Sequence, residues 1–355
     1  MKTRIRTALA LLAFSSIGIV PMQAMAQANE SGALSARIAL LEGPNRLQTL
    51  IEGAKKEGEL TIYHSNIEDI PILIAAFTKK YGIKVNSWRS GSEQITQRVM
   101  AESQARRFKA DLVDNNVLGV EALQREGILQ PANSPFSNDL IAQARPAHKG
   151  WVGTTVDIFV AGYNPQKIKA SELPKTYKDL LDPKWKDKLV VEAEDYHWYA
   201  TLKEQLGQEQ GTQLFKDVVA TNGMTVLKGH SKMAYFVVTG EVPLGLSLYH
   251  YKPMQMKASG QAIEVHIIPP SIAHLRGLGM LKNAPNPHAA MLFYDFLISE
   301  GQSIYASRFH YPTSTKVDNP LRNLKPVIVD PVRTLDSNVK WMKEYEEEMK
   351  PRAKR

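Results

Sequence analysis

The sequence predicts an α/β protein of two lobes, and three observations carry that expectation. Short apolar runs alternate with amphipathic helical patterns between residues 45 and 127, the rhythm of a largely parallel sheet with covering helices. A longer alternating run at 152–163 then opens a second set of short strands and helices. The length, 355 residues, exceeds what one small core serves and suits two domains or one bilobal unit.

The elements follow in order. Residues 27–44 are mixed and hold Gly43-Pro44, which reads as a loose lead-in. Leu47, Leu50, Ile51 and Ala54 keep helical spacing and Gly58 ends that helix. Leu60 to Tyr63 is a strand, Ile70 to Lys80 a helix closed by Gly82, and Ile83 to Trp88 a second strand. An amphipathic helix follows over 93–107, then a strand from Ala110 to Val113 and a helix from Val120 to Arg125 before Gly127. In the second half, strands are expected at 152–163, 189–193, 224–227, 244–248, 262–268 and 277–281. Helices are expected at 197–206, 211–220, 231–239 and 287–299, and Glu344 to Glu348 falls in a polar terminal helix.

Composition narrows the class. Apolar residues make up 43 %, which rules out extensive disorder. There is no cysteine, so disulfides, thiolate metal sites, a cysteine nucleophile and lipid attachment at an N-terminal cysteine are all excluded. Lys2, Arg4 and Arg6 precede a 13-residue, largely apolar run from Ala8 to Val20, with Ala24-Met25-Ala26 or Ala26-Gln27-Ala28 as a small-x-small cleavage site. That is the layout of a secretory signal peptide over 1–26, and the run is too short for the ~20 residues a membrane helix needs. The mature chain is therefore expected to be exported, starting at Gln27 or Asn29. Losing three positive charges from +8 leaves it near +5. Without a basic cluster, no nucleic-acid partner is expected.

Ligands of α/β sheets bind beyond the carboxyl ends of strands, where loops enter helices. Four segments occupy such places: Tyr63-His64-Ser65-Asn66, Ser90-Gly91-Ser92, Asp114-Asn115-Asn116 and Glu194-Asp195-Tyr196-His197. Serines and glycines there leave backbone N–H groups for a ligand, and the same residues also cap helices.

At this point the residues resemble a known family. The segments are 54–63 (AKKEGELTIY), 77–85 (FTKKYGIKV), 110–113 (ADLV), 180–188 (LLDPKWKDK), 240–243 (GEVP) and 311–312 (YP). In this order they resemble the bacterial extracytoplasmic solute-binding proteins of ATP-driven (ABC) importers, in the ferric-iron-binding-like branch. The resemblance spans roughly residues 45–320. It implies a two-lobed periplasmic-binding-protein fold of the type II kind, with two crossover strands and a ligand cleft between the lobes. On that plan 27–157 with 272–321 forms lobe one, 158–271 lobe two, and 322–355 a C-terminal helical segment. Val152–Tyr163 and Ala262–Leu281 hold the crossovers. It further implies a periplasmic monomer that hands a small solute or metal ion to an ABC permease in the inner membrane.

The branch implies ferric iron as cargo and no resident cofactor. Ferric members hold the ion with a tyrosine pair near the second crossover, joined by a His and a Glu of the first lobe. Phenolate and carboxylate oxygens suit the hard trivalent ion, which displaces a phenol proton otherwise lost near pH 10. Here the His position is His64. The Glu position falls at the neutral Asn116. The tyrosine pair falls at His250-Tyr251, preceded by Tyr249. If 247–251 is extended, Tyr249 and Tyr251 share a face and His250 points away. The iron set is then His64, Tyr249 and Tyr251, with His250 beside them. An organic anion is the alternative cargo. It would be held by Asn66, Ser90, Ser92, Asn115 and Asn116 with Arg89, and Arg276 could also grip a carboxylate or phosphate; Ser65 and His197 are further candidate ligand contacts for either cargo. Structural readings stand beside these: tyrosines at strand ends pack, arginines are solvated, and Tyr196 and Trp198 form a buried wall.

An exported hydrolase is the rival class. Gly229-His230-Ser231-Lys232-Met233 lacks the closing glycine of a nucleophile elbow, and Ser337-Asn338-Val339-Lys340 lacks the partner motifs of a Ser-x-x-Lys enzyme. No His-Glu-x-x-His or phosphate loop is present, and the nine histidines are scattered along the chain. The sequence points to a binding protein, not an enzyme.

Overall fold

A computed structural model describes residues 22–65, 69–319 and 323–349. The expected leader, 1–26, lies almost wholly outside the described residues, as does Asn66. Among the described residues no helix is long and apolar enough to cross a membrane.

The chain begins with helices α1 (Met22–Ala39) and α2 (Arg46–Glu57) and strand β1 (Glu59–His64). It continues through α3 (Ile70–Tyr81), β2 (Lys84–Arg89), α4 (Ser92–Gln104), β3 (Leu112–Asn116), α5 (Val117–Arg125) and β4 (Leu129–Gln130). The long β5 (Val152–Tyr163) leads to β6 (Leu189–Glu192), α6 (Tyr196–Leu206), α7 (Gln208–Asn222), β7 (Thr225–Leu227), α8 (His230–Thr239), β8 (Leu244–Tyr249), α9 (Tyr251–Ala258) and β9 (Glu264–His266). The return passes through β10 (Ile272–Leu281), α10 (Pro287–Ile298), α11 (Glu300–Ser307), β11 (Tyr311–Pro312), β12 (Val327–Ile328), α12 (Pro331–Asp336) and α13 (Asn338–Met349).

The strands follow the order β2-β1-β3-β10-β5-β8-β6-β7. β1 runs parallel to β2 and β3, whereas β10 is antiparallel to both β3 and β5. β5 is the shared element. Its residues up to Ile158 pair with β10, and those from Phe159 onward pair with β8 and β9. Every residue of β5 and β10 is buried, so both read as apolar runs interrupted by Asp157, His274 and Arg276. Two apolar cores result. One surrounds Leu60, Ile62, Phe77, Leu112 and Phe293, and the other Phe159, Trp185, Trp198, Phe215 and Leu246. The two lobes of the fold are built on these cores.

Glycine ends the early helices as expected: Gly58 and Gly82 sit at φ +76° and +73°, a region an L side chain enters at a cost. Several elements differ from expectation. Residues 27–39 continue helix α1 rather than forming a loose lead-in. Ser35, Ile38 and Ala39 recur at helical spacing and are buried, and the Ser35 hydroxyl lies between Leu281 O and Gln130 Nε2. The strand expected at 262–268 is shorter, Glu264–His266, and the one at 277–281 begins earlier, at Ile272. Buried polar residues in β10 hid its first half. The stretch 247–251 is not extended throughout. His250 is helical (φ −50°, ψ −39°), and α9 starts at Tyr251 with Pro253 tolerated in its first turn. Helices α9, α11 and α12 had no counterpart in the sequence pattern.

The C-terminal helices pack on different lobes. α12 lies on α5, where Arg125 reaches Asp336 at 2.7 Å and Val332 O at 2.8 Å. α13 lies on α6 and α7, burying Trp341, Tyr345 and Met349.

Candidate functional site

A cleft of about 390 Å³ opens where the strand ends of the first lobe face the N-termini of α6 and α8 in the second. The loop after β1 and the start of α4 contribute Ser65 and Ser92, β2 contributes Arg89, and Asn116 and Arg276 come from β3 and β10. The facing wall holds Glu192, Asp195, His197, His230, Tyr249 and Tyr251. A larger cavity, about 640 Å³, lies on the far side of the first lobe around Arg46 and Asp295. Its buried charges, Arg46 and Asp295, are committed to each other.

Of the residues expected to contact a ligand, Ser65, Ser92, Asn116, His197, Tyr249 and Tyr251 line the cleft together. Several also hold the fold. The Asn116 side chain caps α5 by accepting from Gly119 N at 2.8 Å. The Ser92 carbonyl accepts from Thr96 Oγ1 and from Asn115 Nδ2 at 3.0 and 2.9 Å. His64 is buried at the end of β1 and Ser90 lies beside it, its N–H donating to His64 O; neither is a wall residue. The expectation for His250 needs correction. The residue is buried, its Nδ1 accepts from Ile158 N at 3.1 Å, and its own N–H donates to Ile158 O at 2.9 Å. That imidazole is stitched to β5, and burial lowers its pKa to about 4.

Tyr249 and Tyr251 come together although one ends β8 and the other begins α9. Their rings are nearly parallel, 6.4 Å apart and 16° from coplanar. Tyr249 also stacks on His230 at 3.8 Å and on His274 at 4.8 Å, while Tyr251 stacks on His310 at 4.2 Å. Burial and the nearby Asp195, Asp157 and Glu192 push the Tyr249 phenol well above its usual value. Arg276 is not available to grip an anion alone. Its Nη2 reaches Asp114 Oδ1 at 2.5 Å and donates to Ser65 Oγ at 2.9 Å, so it positions Ser65. Trp198 is buried in the second core, whereas Tyr196 is only partly buried and is not among the cleft-lining residues.

Sequence reasoning missed a buried charge network behind the tyrosines. Asp157 lies between His274 Nε2 at 3.7 Å and His310 Nδ1 at 3.8 Å. His310 Nε2 is bonded to Asp69 at 2.7 Å, and Asp69 also receives Arg308 Nε at 3.0 Å. Burial raises the Asp157 pKa, but His310, His274 and Arg276 more than offset it and bring it to about 2. Burial takes His274 down to about 3. A carboxylate in the middle of an apolar strand was the available signal, since buried charges are paired. Also missed were Glu192 and His230. Glu192 accepts from Glu194 N at 2.5 Å and Gly229 N at 2.8 Å, linking β6 to the start of α8. Burial and neighbouring Asp195 raise its pKa. Burial lowers His230, but Asp195 and Glu192 outweigh it, so the net shift is upward.

Comparison with known proteins places this geometry. The profile of a family described as bacterial extracellular solute-binding protein matches residues 109–337. The chain is similar to the Fe(3+)-binding periplasmic protein of Serratia marcescens, with 25% identity over 75% of this chain and 82% of that one. It is similar to iron uptake protein A1 of Synechocystis at 25% identity, covering 75% and 78% of the two chains. Among solved structures, iron-bound HitA of Pseudomonas aeruginosa superposes with a TM-score of 0.70 at 21% identity, over 82% of this chain and 99% of that one. AfuA of Actinobacillus pleuropneumoniae, solved with fructose-6-phosphate, gives 0.72 at 21% identity over the same shares. Both structures share the two-lobed fold described above.

Proposed function

The chain belongs to the family of bacterial extracellular solute-binding proteins, and from that premise we propose that it captures ferric iron, or a ferric complex, between its lobes. It then delivers this cargo to an ABC permease in the inner membrane. The chain binds its cargo and does not turn it over. One observation carries the iron reading: Tyr249 and Tyr251 present nearly parallel rings to the cleft, 6.4 Å apart. Two phenols on one wall suit a hard trivalent cation, which replaces their protons. Ser65, Ser92 and Asn116 face them from the first lobe, and His197 stands on the same wall as the tyrosines. The names of the relatives from Serratia and Synechocystis agree with iron.

The organic-anion alternative has less support. Arg276 is already paired with Asp114, and the buried Asp195 carboxylate at the start of α6 repels an anion from that helix N-terminus. Titration with ferric citrate tests the proposal. A purple-red phenolate-to-iron absorption band should appear, and Tyr251→Phe should weaken it. The melting temperature should rise as well, because at a hundredfold excess over Kd a ligand adds about 2.7 kcal/mol. No band together with an unchanged melting temperature would transfer the assignment to an organic anion.

A further inference from the structure

Glu192, Asp195 and His230 converge on the floor of the cleft. One carboxylate oxygen of each acid and one ring nitrogen lie within 4.8 Å of one another. His230 Nε2 is 3.3 Å from Asp195 Oδ1. Glu192 is held in place by the N–H groups of Glu194 and Gly229, so it already satisfies the local backbone. The atoms that remain have no hydrogen-bond partner among the described residues. Asp195 Oδ2 and His230 Nδ1 are buried without a hydrogen bond, and so are both ring nitrogens of His197, a residue 3 % exposed on the same wall. Several buried polar atoms left over at one spot are costly unless a ligand joins them. Lys228, the lysine beside them on this wall, pairs instead with Glu194 at 2.6 Å.

We propose that Glu192, Asp195 and His230 form a cation seat on the second lobe, for a transition metal of the manganese or iron class. Two carboxylates and one neutral imidazole balance a divalent ion. The ring of Tyr249 stacks on His230 at 3.8 Å and so adjoins the seat. Oxygen-rich donors with one imidazole, and no thiolate, are the donor set such ions accept. The seat belongs to one lobe, so the ion binds before the lobes close, and the first lobe then covers it. This rests on the cleft being a cation-binding site, but it is tested with a divalent ion so that it and the ferric reading fail separately.

The test is a titration of the mature protein with Mn²⁺, following free Mn²⁺ by electron paramagnetic resonance. The wild type should take up one equivalent. Asp195→Asn and His230→Gln should each weaken binding by about tenfold to a hundredfold or more, since lost supporting groups alone have that effect. Tyr251→Phe should weaken Mn²⁺ binding far less. His230 is partly exposed, so its variant remains informative if Asp195→Asn folds poorly, and melting curves report that directly. Wild-type affinity in both variants, or no uptake by the wild type, overturns the seat, even where ferric citrate still gives its band. Uptake lost in both variants, with no ferric band in the wild type, upholds the seat and overturns iron as the cargo.

Discussion

His310 donates its Nε2 hydrogen to Asp69 at 2.7 Å, and its Nδ1 faces Asp157 at 3.8 Å on the other side. Burial alone would lower the His310 pKa, but the two carboxylates outweigh it, and the net shift is upward from 6.5. A histidine whose folded pKa is raised contributes stability that is fully present below its unfolded value and is lost as pH rises through the folded one. The melting temperature of the ligand-free protein should therefore fall as pH rises above 6.5. His310→Gln should flatten that part of the profile. An identical slope in the variant would rule out His310 as its source.

Asp157 anchors the same network from inside β5. Asp157→Ala removes the charge and leaves His310 and His274 facing a void. Breaking a buried ionic cluster by one partner costs about 3–5 kcal/mol. Chemical denaturation should show a loss of that order. A loss below about 1 kcal/mol, the size of a surface effect, would mean the cluster contributes little.

Arg46 and Asp295 supply a control remote from the cleft. They form a bidentate buried pair, and Arg46 Nη2 also donates to Asn133 O at 3.0 Å. Asp295→Leu should cost about 3–5 kcal/mol by stranding the arginine. Cargo affinity at temperatures where the variant is folded should stay unchanged. A parallel loss of affinity would reveal coupling between this pair and the cleft.

Lobe closure should be visible in solution. A cargo that contacts both walls binds the closed state better and shifts the population toward it. Small-angle scattering should show a smaller radius of gyration with saturating cargo than without. An unchanged radius at saturation would argue for binding to one wall only.

Most of the fold was legible because its elements carry strong periodicity. β5 was recognised to the residue from its alternating apolar positions, and Gly58 and Gly82 marked helix ends by their backbone freedom. What escaped had weak or misleading local patterns. The alanine-rich α1 gains its buried face by packing on α10 and beside Leu281 and Gln130. Tyr249-His250-Tyr251 looks like strand, yet the turn at His250 is imposed by its bonds to Ile158. For the site, loops at strand ends pointed to Ser65, Ser92 and Asn116, which line the cleft. The histidines looked scattered because only the folded sheet gathers His197, His230, His274 and His310 around the two tyrosines.

The C-terminal helices give the chain an uneven way of ending. α1 rides on the first lobe through α10, whereas α13 rides on the second. The Tyr345 hydroxyl donates to Glu192 O at 2.6 Å, and Lys203 pairs with Glu344 at 2.9 Å. The backbone thus spans the two lobes three times: within β5, between β9 and β10, and between α12 and α13. Like a door hung at three points, the lobes are expected to swing more readily than they twist. The first and last helices are carried by opposite leaves of that door, so a pair of dyes, one on each, would register every opening as a change in distance.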